Sequence, residues 1–172
     1  MTLGTIQLVI GSTGAGKSTY SRALSSRLSA VRFAIDEWME TLFLPDRPAD
    51  AQHEWYLDRI SRSTALIWDT VMQLANLGTS VVLEIGLTQR GPRAEFYQRV
   101  DDAGLSLRLH VVEAPRDVRW ARVDARNRER GETFSMEVTR GMFDFVEGMW
   151  EPPEAPELRQ RQGIIIDTTA AR

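Results

Sequence analysis

GSTGAGKST, residues 11–19, is the stretch that decides the fold of this 172-residue chain. It satisfies the spacing Gly-x-x-x-x-Gly-Lys-[Ser/Thr] through Gly11, Gly16, Lys17 and Ser18. The apolar run Ile6 to Ile10 precedes it, and Tyr20, Ala23, Leu24 and Leu28 follow at helical spacing. A strand therefore enters the loop and a helix leaves it. Glycines let such a loop bend until the backbone N–H groups of Ser12, Thr13, Gly14 and Ala15 point inward, where they can grip phosphate oxygens. The helix that begins near Lys17 adds about half a positive charge at its N-terminus, beside Ser18 and Thr19. Ser18 offers a hydroxyl to Mg²⁺, and Lys17 reaches the β- and γ-phosphates of a nucleoside triphosphate. The other 20 of the 21 basic side chains are arginine, and Lys17 is the only lysine. A compact ammonium on a flexible stem can fold back over its own loop, whereas a planar guanidinium fork has a different shape.

Working outward, residues 31–35 (VRFAI) read as a second strand closed by Asp36 and Glu37, with a short helix WMETLFL running to Pro45. Residues 46–50, directly after Pro45, hold two aspartates and Pro48 and read as a loop. Ile60, Thr64, Ile67, Val71 and Leu74 mark a long helix over residues 51–77, stopped at Gly78. Residues 80–85 form a third strand, 92–103 a helix, and 105–112 a fourth strand. Pro115 fits the first turn of a helix reaching about Arg126, and RNRERGETF is a polar break. Ser135 caps a further helix to about Trp150, which EPPEAPE stops, and residues 163–167 make a fifth strand. Alternating short apolar strands and helices predict an α/β fold of three layers, with a five-stranded, mainly parallel sheet covered on both faces. One domain suffices for this length.

Composition narrows the function. Hydrophobic residues make up 42% and charged residues 26%, as in globular proteins. The net charge of −3 argues against a nucleic-acid partner held by diffuse basic charge. The absence of cysteine excludes disulfides and thiolate metal sites. The N-terminus has no basic n-region and reads as a strand, and no stretch approaches the roughly 18 apolar residues of a membrane helix. A cytoplasmic protein is the expectation.

GSTGAGKST, IDEW after the second strand, VVLEIG at the third, RVDARNRERGETF after the fourth and the closing IIIDTT form an ordered set. In that set the chain resembles the P-loop kinase-like, AAA-family ATPases of the zeta-toxin and chloramphenicol-phosphotransferase type. There is no Asn-Lys-x-Asp guanine signature, so ATP is the expected nucleotide. The resemblance implies that Asp36 orients or deprotonates the acceptor hydroxyl, although its position also suits a helix cap. It implies that Glu84 binds Mg²⁺, the alternative being a buried pair with an arginine. Asp36 joins Ser18 and Glu84 on the metal side. Arg119, Arg122 and Arg126 fall on one helical face, leading into a small lid over about residues 127–134. Lid arginines of this kind neutralise the transferring phosphoryl and stack on adenine, with Arg126 first, then Arg122 and Arg130. The alternative is a salt-bridged helix, with Asp117, Asp124 and Glu129 as partners. Asp167 and Thr168 are expected beside the adenine.

The acceptor side is expected from Trp38 to Trp55 and from the loop after Glu84, with Trp38, Gln89 and Arg90 as substrate contacts and Arg93 as a further candidate. Magnesium arriving with ATP is the only metal expected. The leading reading is a kinase that moves the γ-phosphate of Mg-ATP to a hydroxyl of a small-molecule acceptor. A polynucleotide kinase and an ATPase switch or partner-binding module are the competing readings.

Overall fold

The five strands are β1 (Thr5–Ile10), β2 (Val31–Ala34), β3 (Val81–Glu84), β4 (Ser106–Glu113) and β5 (Ile164–Asp167). They come from a computed structural model that describes residues 2–131, 134 and 137–169. Their order is β2-β3-β1-β4-β5, and every neighbouring pair is parallel, so the sheet is parallel throughout. β1 lies between β3 and β4. The chain after β1 therefore emerges where connections diverge to the two halves of the sheet, which is where open α/β sheets bind ligands.

The helices are α1 (Lys17–Leu28), α2 (Ile35–Leu42), α3 (His53–Asn76), α4 (Arg90–Asp102), α5 (Arg116–Glu129), α6 (Arg140–Met149) and α7 (Ala155–Gln160). Strand alternation divides the core into two layers. Ile6, Leu8 and Ile10 of β1 pack with Ile67 and Val71 of α3 and with Tyr97 and Val100 of α4. Val9 points the other way, onto Leu24 of α1 with Val82 and Val112 beside it.

The structure moves several expected boundaries. β2 ends at Ala34, and Asp36 and Glu37 lie in the first turn of α2 rather than ahead of a helix at Trp38. α5 runs on through Glu129, so residues 127–129 of the expected lid are helical, while Glu132 and Thr133 lie outside the described residues. Arg126 and Arg128 in its last turn suit the negative end of the helix dipole. The expected cap Ser135 also lies outside the described residues. α6 begins instead at Arg140, with the Thr139 side chain accepting a hydrogen bond from the Met142 N–H. EPPEAPE does end α6, but it also starts α7, with Pro156 in that helix's first turn. α7 has a packing reason: Glu157 takes hydrogen bonds from Arg93 Nε (2.7 Å), Arg93 Nη2 (3.2 Å) and the Tyr97 hydroxyl (2.8 Å). Arg93 is 1% exposed, so its charge is spent holding α7 to α4.

His110 of β4 is buried under α1. Its Nδ1 pairs with the Tyr20 hydroxyl at 2.8 Å and its Nε2 with Gln7 Oε1 at 2.7 Å. Burial, reinforced by Arg108 and Arg27, holds its pKa down at about 4. The unfolded chain then takes up a proton near pH 6.5 that the folded chain refuses, so stability is full above that pH and falls as pH drops towards 4. Thermal melts of the wild type should fall over that window. His110→Gln should flatten the slope, and an unchanged slope would refute the assignment.

Candidate functional site

The loop between β1 and α1 has the shape its sequence dictates. Gly16, at the cap position of α1, has φ 98°, and Gly14 has φ 79°. Both are left-handed values that suit glycine. A Cβ at Gly14 would also lie 2.5 Å from the Arg119 carbonyl oxygen, because α5 packs directly on the loop. α1 has no side-chain cap and no acidic residue in its first turn. Its leading amides and positive end are thus left facing the cavity, an anion site by geometry.

One cavity of about 490 Å³ opens over this loop. Thr13, Gly14 and Gly16 to Thr19 form its floor, while Ser12 and Ala15 line a second cavity and Gly11 lines neither. Lys17 folds back so that Nζ donates to the Ser12 carbonyl at 3.1 Å. Burial lowers its pKa, opposed by the carboxylates of Glu84 and Asp36. Asp36 faces into the same cavity. It does not cap α2, since Ala34 holds the cap position and no side-chain cap bond is made. Among the described residues no group donates a hydrogen bond to it. The protein packed around it raises its pKa; Lys17 opposes the shift and Glu84 adds to it.

Glu84, at the end of β3, accepts from Ser18 Oγ and Ser21 Oγ, each at 2.8 Å, and from Arg32 Nη2 at 3.0 Å. Glu84 is thus the buried arginine pair of the second alternative, and it also touches Ser18, the expected metal serine. Arg32 also donates from Nε to Ser21 (2.7 Å) and from Nη1 to Glu37 (2.9 Å). Sequence reasoning missed Arg32. Its signal is a charge in a mostly apolar strand, on the same sheet face as Glu84, legible only once β2 and β3 are known to be neighbours. Arg32→Met strands Glu84 next to Ser18 without its cation. Removing one member of a buried pair costs about 3 kcal/mol or more, whereas Glu37→Gln, at a half-exposed carboxylate, should cost under about 1 kcal/mol. Urea unfolding of the two variants checks the ranking.

The donor set fits magnesium. Ser18 Oγ and Glu84 are hard oxygens beside the phosphate floor, and Mg²⁺ is commonly held by one or two protein oxygens with phosphates and water. Among the described residues there is no cluster of three or more His, Cys, Asp or Glu that could hold a metal alone.

On the α5 side, Arg126 lines the cavity with its Nε buried and without a hydrogen-bond partner. Burial lowers its pKa, and Asp36 opposes the shift. Arg122 also lines the cavity, donating to Thr168 Oγ1 (2.8 Å) and the Thr168 carbonyl (3.0 Å), while Thr168 Oγ1 donates to the Ala15 carbonyl at 2.9 Å. The chain after β5, the face of α5 and the loop are joined there. Arg119 sits behind the loop, paired with Glu147 of α6 at 2.6 and 2.7 Å and bonded to the Ala114 carbonyl. It is the salt-bridged member of its helical row.

The remaining expected residues are not brought to this cavity. Arg130 lies over Phe134 (5.3 Å) with Glu137 at 3.9 Å. Asp167 accepts from Thr169 and borders a second cavity of about 410 Å³, with Ser12, Glu113 and Trp150. Trp38 packs edge-on against Phe33 at 6.0 Å. Gln89 is the cap residue of α4, and Arg90 donates to Glu154 at 3.2 Å. α7, absent from the sequence reading, is what draws Arg90 and Arg93 away. Away from the loop the cavity is lined on one side by Met39 and Leu44, inside the Trp38–Trp55 stretch expected for the acceptor, with Tyr56 and Ile60 just past it, and on the other by Val138, Met142 and Val146, which lie outside the expected stretches.

A loop of this geometry at the end of the central strand defines a P-loop α/β protein. A model of the AAA domain family AAA_33 matches residues 6–149, and the chain belongs to that family. Among solved structures, Chaetomium thermophilum Kti12 in complex with ADP-AlF3 superposes with a TM-score of 0.73 at 15% identity, over 97% of this chain and 91% of that one. The Mycobacterium tuberculosis APS kinase CysC, in complex with AMPPNP and APS, gives 0.66 at 14% identity, over 99% and 92%. A gluconokinase from Sinorhizobium meliloti 1021 gives 0.63 at 15% identity, over 99% and 85%. At these identities the likeness is one of fold, that of the P-loop kinases. No curated protein matches the sequence at a significant level. No helix among the described residues is long and apolar enough to cross a membrane.

Proposed function

We propose that this chain is an ATP-dependent phosphotransferase acting on a hydroxyl group of a small molecule. The observation that carries the reading is the single cavity in which Lys17, Ser18, Asp36 and Arg126 share space with an apolar wall. The loop amides and Lys17 hold the phosphates, and Mg²⁺ bound through Ser18 and Glu84 supplies charge neutralisation. Asp36 takes the acceptor's hydroxyl proton as that oxygen attacks the γ-phosphorus. The bond from the γ-phosphorus to the bridging oxygen breaks, ADP leaves with that electron pair, and Arg126 compensates the charge on the phosphoryl oxygens. Asp36 has the location for this work, and among the described residues no group pairs with its carboxylate. In this reading the Arg122–Thr168 edge, where α5, the loop and the chain after β5 meet, takes the base of ATP.

The zeta-toxin and chloramphenicol-phosphotransferase type is the closer reading that the ordered motifs favour, with one domain, a lid near residues 127–134 that brings Arg130 inward, and a cytoplasmic site of action. A metabolite-pool screen with γ-labelled ATP tests the proposal: one class of hydroxyl compound should gain the label. ATP turnover that no compound stimulates, with no labelled product, would favour the nucleotide switch.

A further inference from the structure

The two ends of the main cavity differ in charge. Its described basic lining residues, Lys17, Arg122 and Arg126, all stand at the phosphate end. Arg122 is engaged with Thr168, and Lys17 lies over its own loop. The acceptor end is lined by Met39, Leu44, Ile60, Val138, Met142 and Val146, and among the described residues its one polar side chain is Tyr56.

That wall is built. Asn127 holds Val138 by both backbone groups, its Nδ2 donating to the carbonyl at 2.8 Å and its Oδ1 accepting from the N–H at 3.1 Å. α6, which presents Met142 and Val146, is fixed at one end by the Thr139 cap and at the other by the Glu147–Arg119 pair. The opposite wall rests on Met39, which is buried in the core.

Arg59, Arg90 and Arg93 are committed elsewhere. Arg59 lies on the Trp55 ring, 3.9 Å from its centroid, and bonds the Trp55 carbonyl. Arg93 pairs with Glu157 of α7, and Arg90 with Glu154 just ahead of that helix. Arg47 is exposed and outside the cavity lining, and donates to the Tyr56 hydroxyl at 2.9 Å from the solvent side. A carboxylate, phosphate or sulfate on the acceptor would therefore sit among apolar side chains or beside Asp36 and Glu84. Either place disfavours an anion.

We propose that the acceptor is an uncharged, largely apolar alcohol, whose hydrocarbon or aryl body fills the Met39–Ile60–Met142 end while its hydroxyl faces Asp36. This rests on the phosphotransferase reading for its chemistry but not for its binding. The Tyr56 phenol offers such a molecule one polar contact. Transfer follows the step already written: the alcohol oxygen bonds to the γ-phosphorus, ADP departs, and the alcohol proton passes to Asp36.

A matched pair of probes tests this. 1-Phenylethane-1,2-diol and mandelate share a carbon skeleton and a secondary hydroxyl and differ in charge. Each is titrated by calorimetry into the full chain saturated with Mg-AMPPNP, and each is then offered with Mg-ATP while phosphorylated product is read by mass. The diol is expected to bind at least about tenfold more tightly than mandelate. Leu44→Lys, verified as folded by thermal melting, should narrow that ratio by placing a cation on the apolar wall. Mandelate binding as well as the diol overturns the proposal, as does no binding of either at about 10 mM. The two readings fail separately. A diol that binds but is never phosphorylated leaves the charge preference standing and removes the phosphotransferase. Phosphate transferred to mandelate in preference to the diol keeps the enzyme and removes the preference.

Discussion

Lys17→Met should abolish nucleotide turnover, with a fall of about 10²–10³-fold or more, because removing a single preorganised charge aimed at a transferring phosphoryl has that scale of effect. The ammonium sits on the cavity floor, bonded to the Ser12 carbonyl and near Asp36. Without it, the triphosphate meets two carboxylates, Asp36 and Glu84, and loses the cation that offsets them. Lys17→Arg should rescue little, since the guanidinium cannot fold over the same short loop. That pair of variants separates charge from shape in a protein whose other basic residues are all arginine. Initial-rate ATP turnover and calorimetry with Mg-ATP are the measurements, and Lys17→Met turnover within about threefold of wild type would refute the loop's role.

Asp36→Asn should leave nucleotide binding nearly intact and lower phosphoryl transfer by about 10²–10⁴-fold, the range for loss of a general base. Because no described group donates a hydrogen bond to Asp36, the substitution breaks none. Its raised pKa means that ionisation is disfavoured in the folded state, so its stabilising contribution is present at low pH and is lost as pH rises through the folded value. Asp36→Asn should therefore melt at or above the wild-type temperature at neutral pH while losing transfer. In the wild type, transfer should fail as pH drops through a value above the ordinary carboxylate range, since the base must be ionised. Full transfer by Asp36→Asn to an identified acceptor would remove the residue from the mechanism. Together the two variants distinguish nucleotide binding from transfer, because only the first removes a group that touches the phosphates.

Much of this site is legible in the sequence because its central piece is local. The loop from Gly11 to Thr19 is contiguous, and its glycines, lysine and serine act through spacing that no distant contact alters. Asp36 is legible for a similar reason, lying just past the end of an apolar strand. Arg126 follows from helical spacing within α5. Arg90 is expected as a substrate contact because the region after the third strand faces the acceptor in the kinases the motifs resemble, but where its side chain goes depends on which carboxylates lie near it in space. Six residues of α7, hidden in a proline-rich stretch, supply Glu157 for Arg93, and Glu154 just ahead of the helix takes Arg90.

The sequence by itself determined the strand–loop–helix unit, the alternation that makes the sheet parallel, and which loop side chains, Lys17 and Ser18, face the cavity. Each depends on periodicity or spacing within a few turns of chain. Only the tertiary structure decided that Arg32 would pair with Glu84 beside Ser18, that Glu147 would anchor α6 behind the loop, and that the end of the cavity away from the loop would be apolar. Those outcomes depend on which strands are neighbours and which arginines find carboxylates first. Twenty arginines are chemically alike in a sequence, and burial and pairing in the fold set their separate roles.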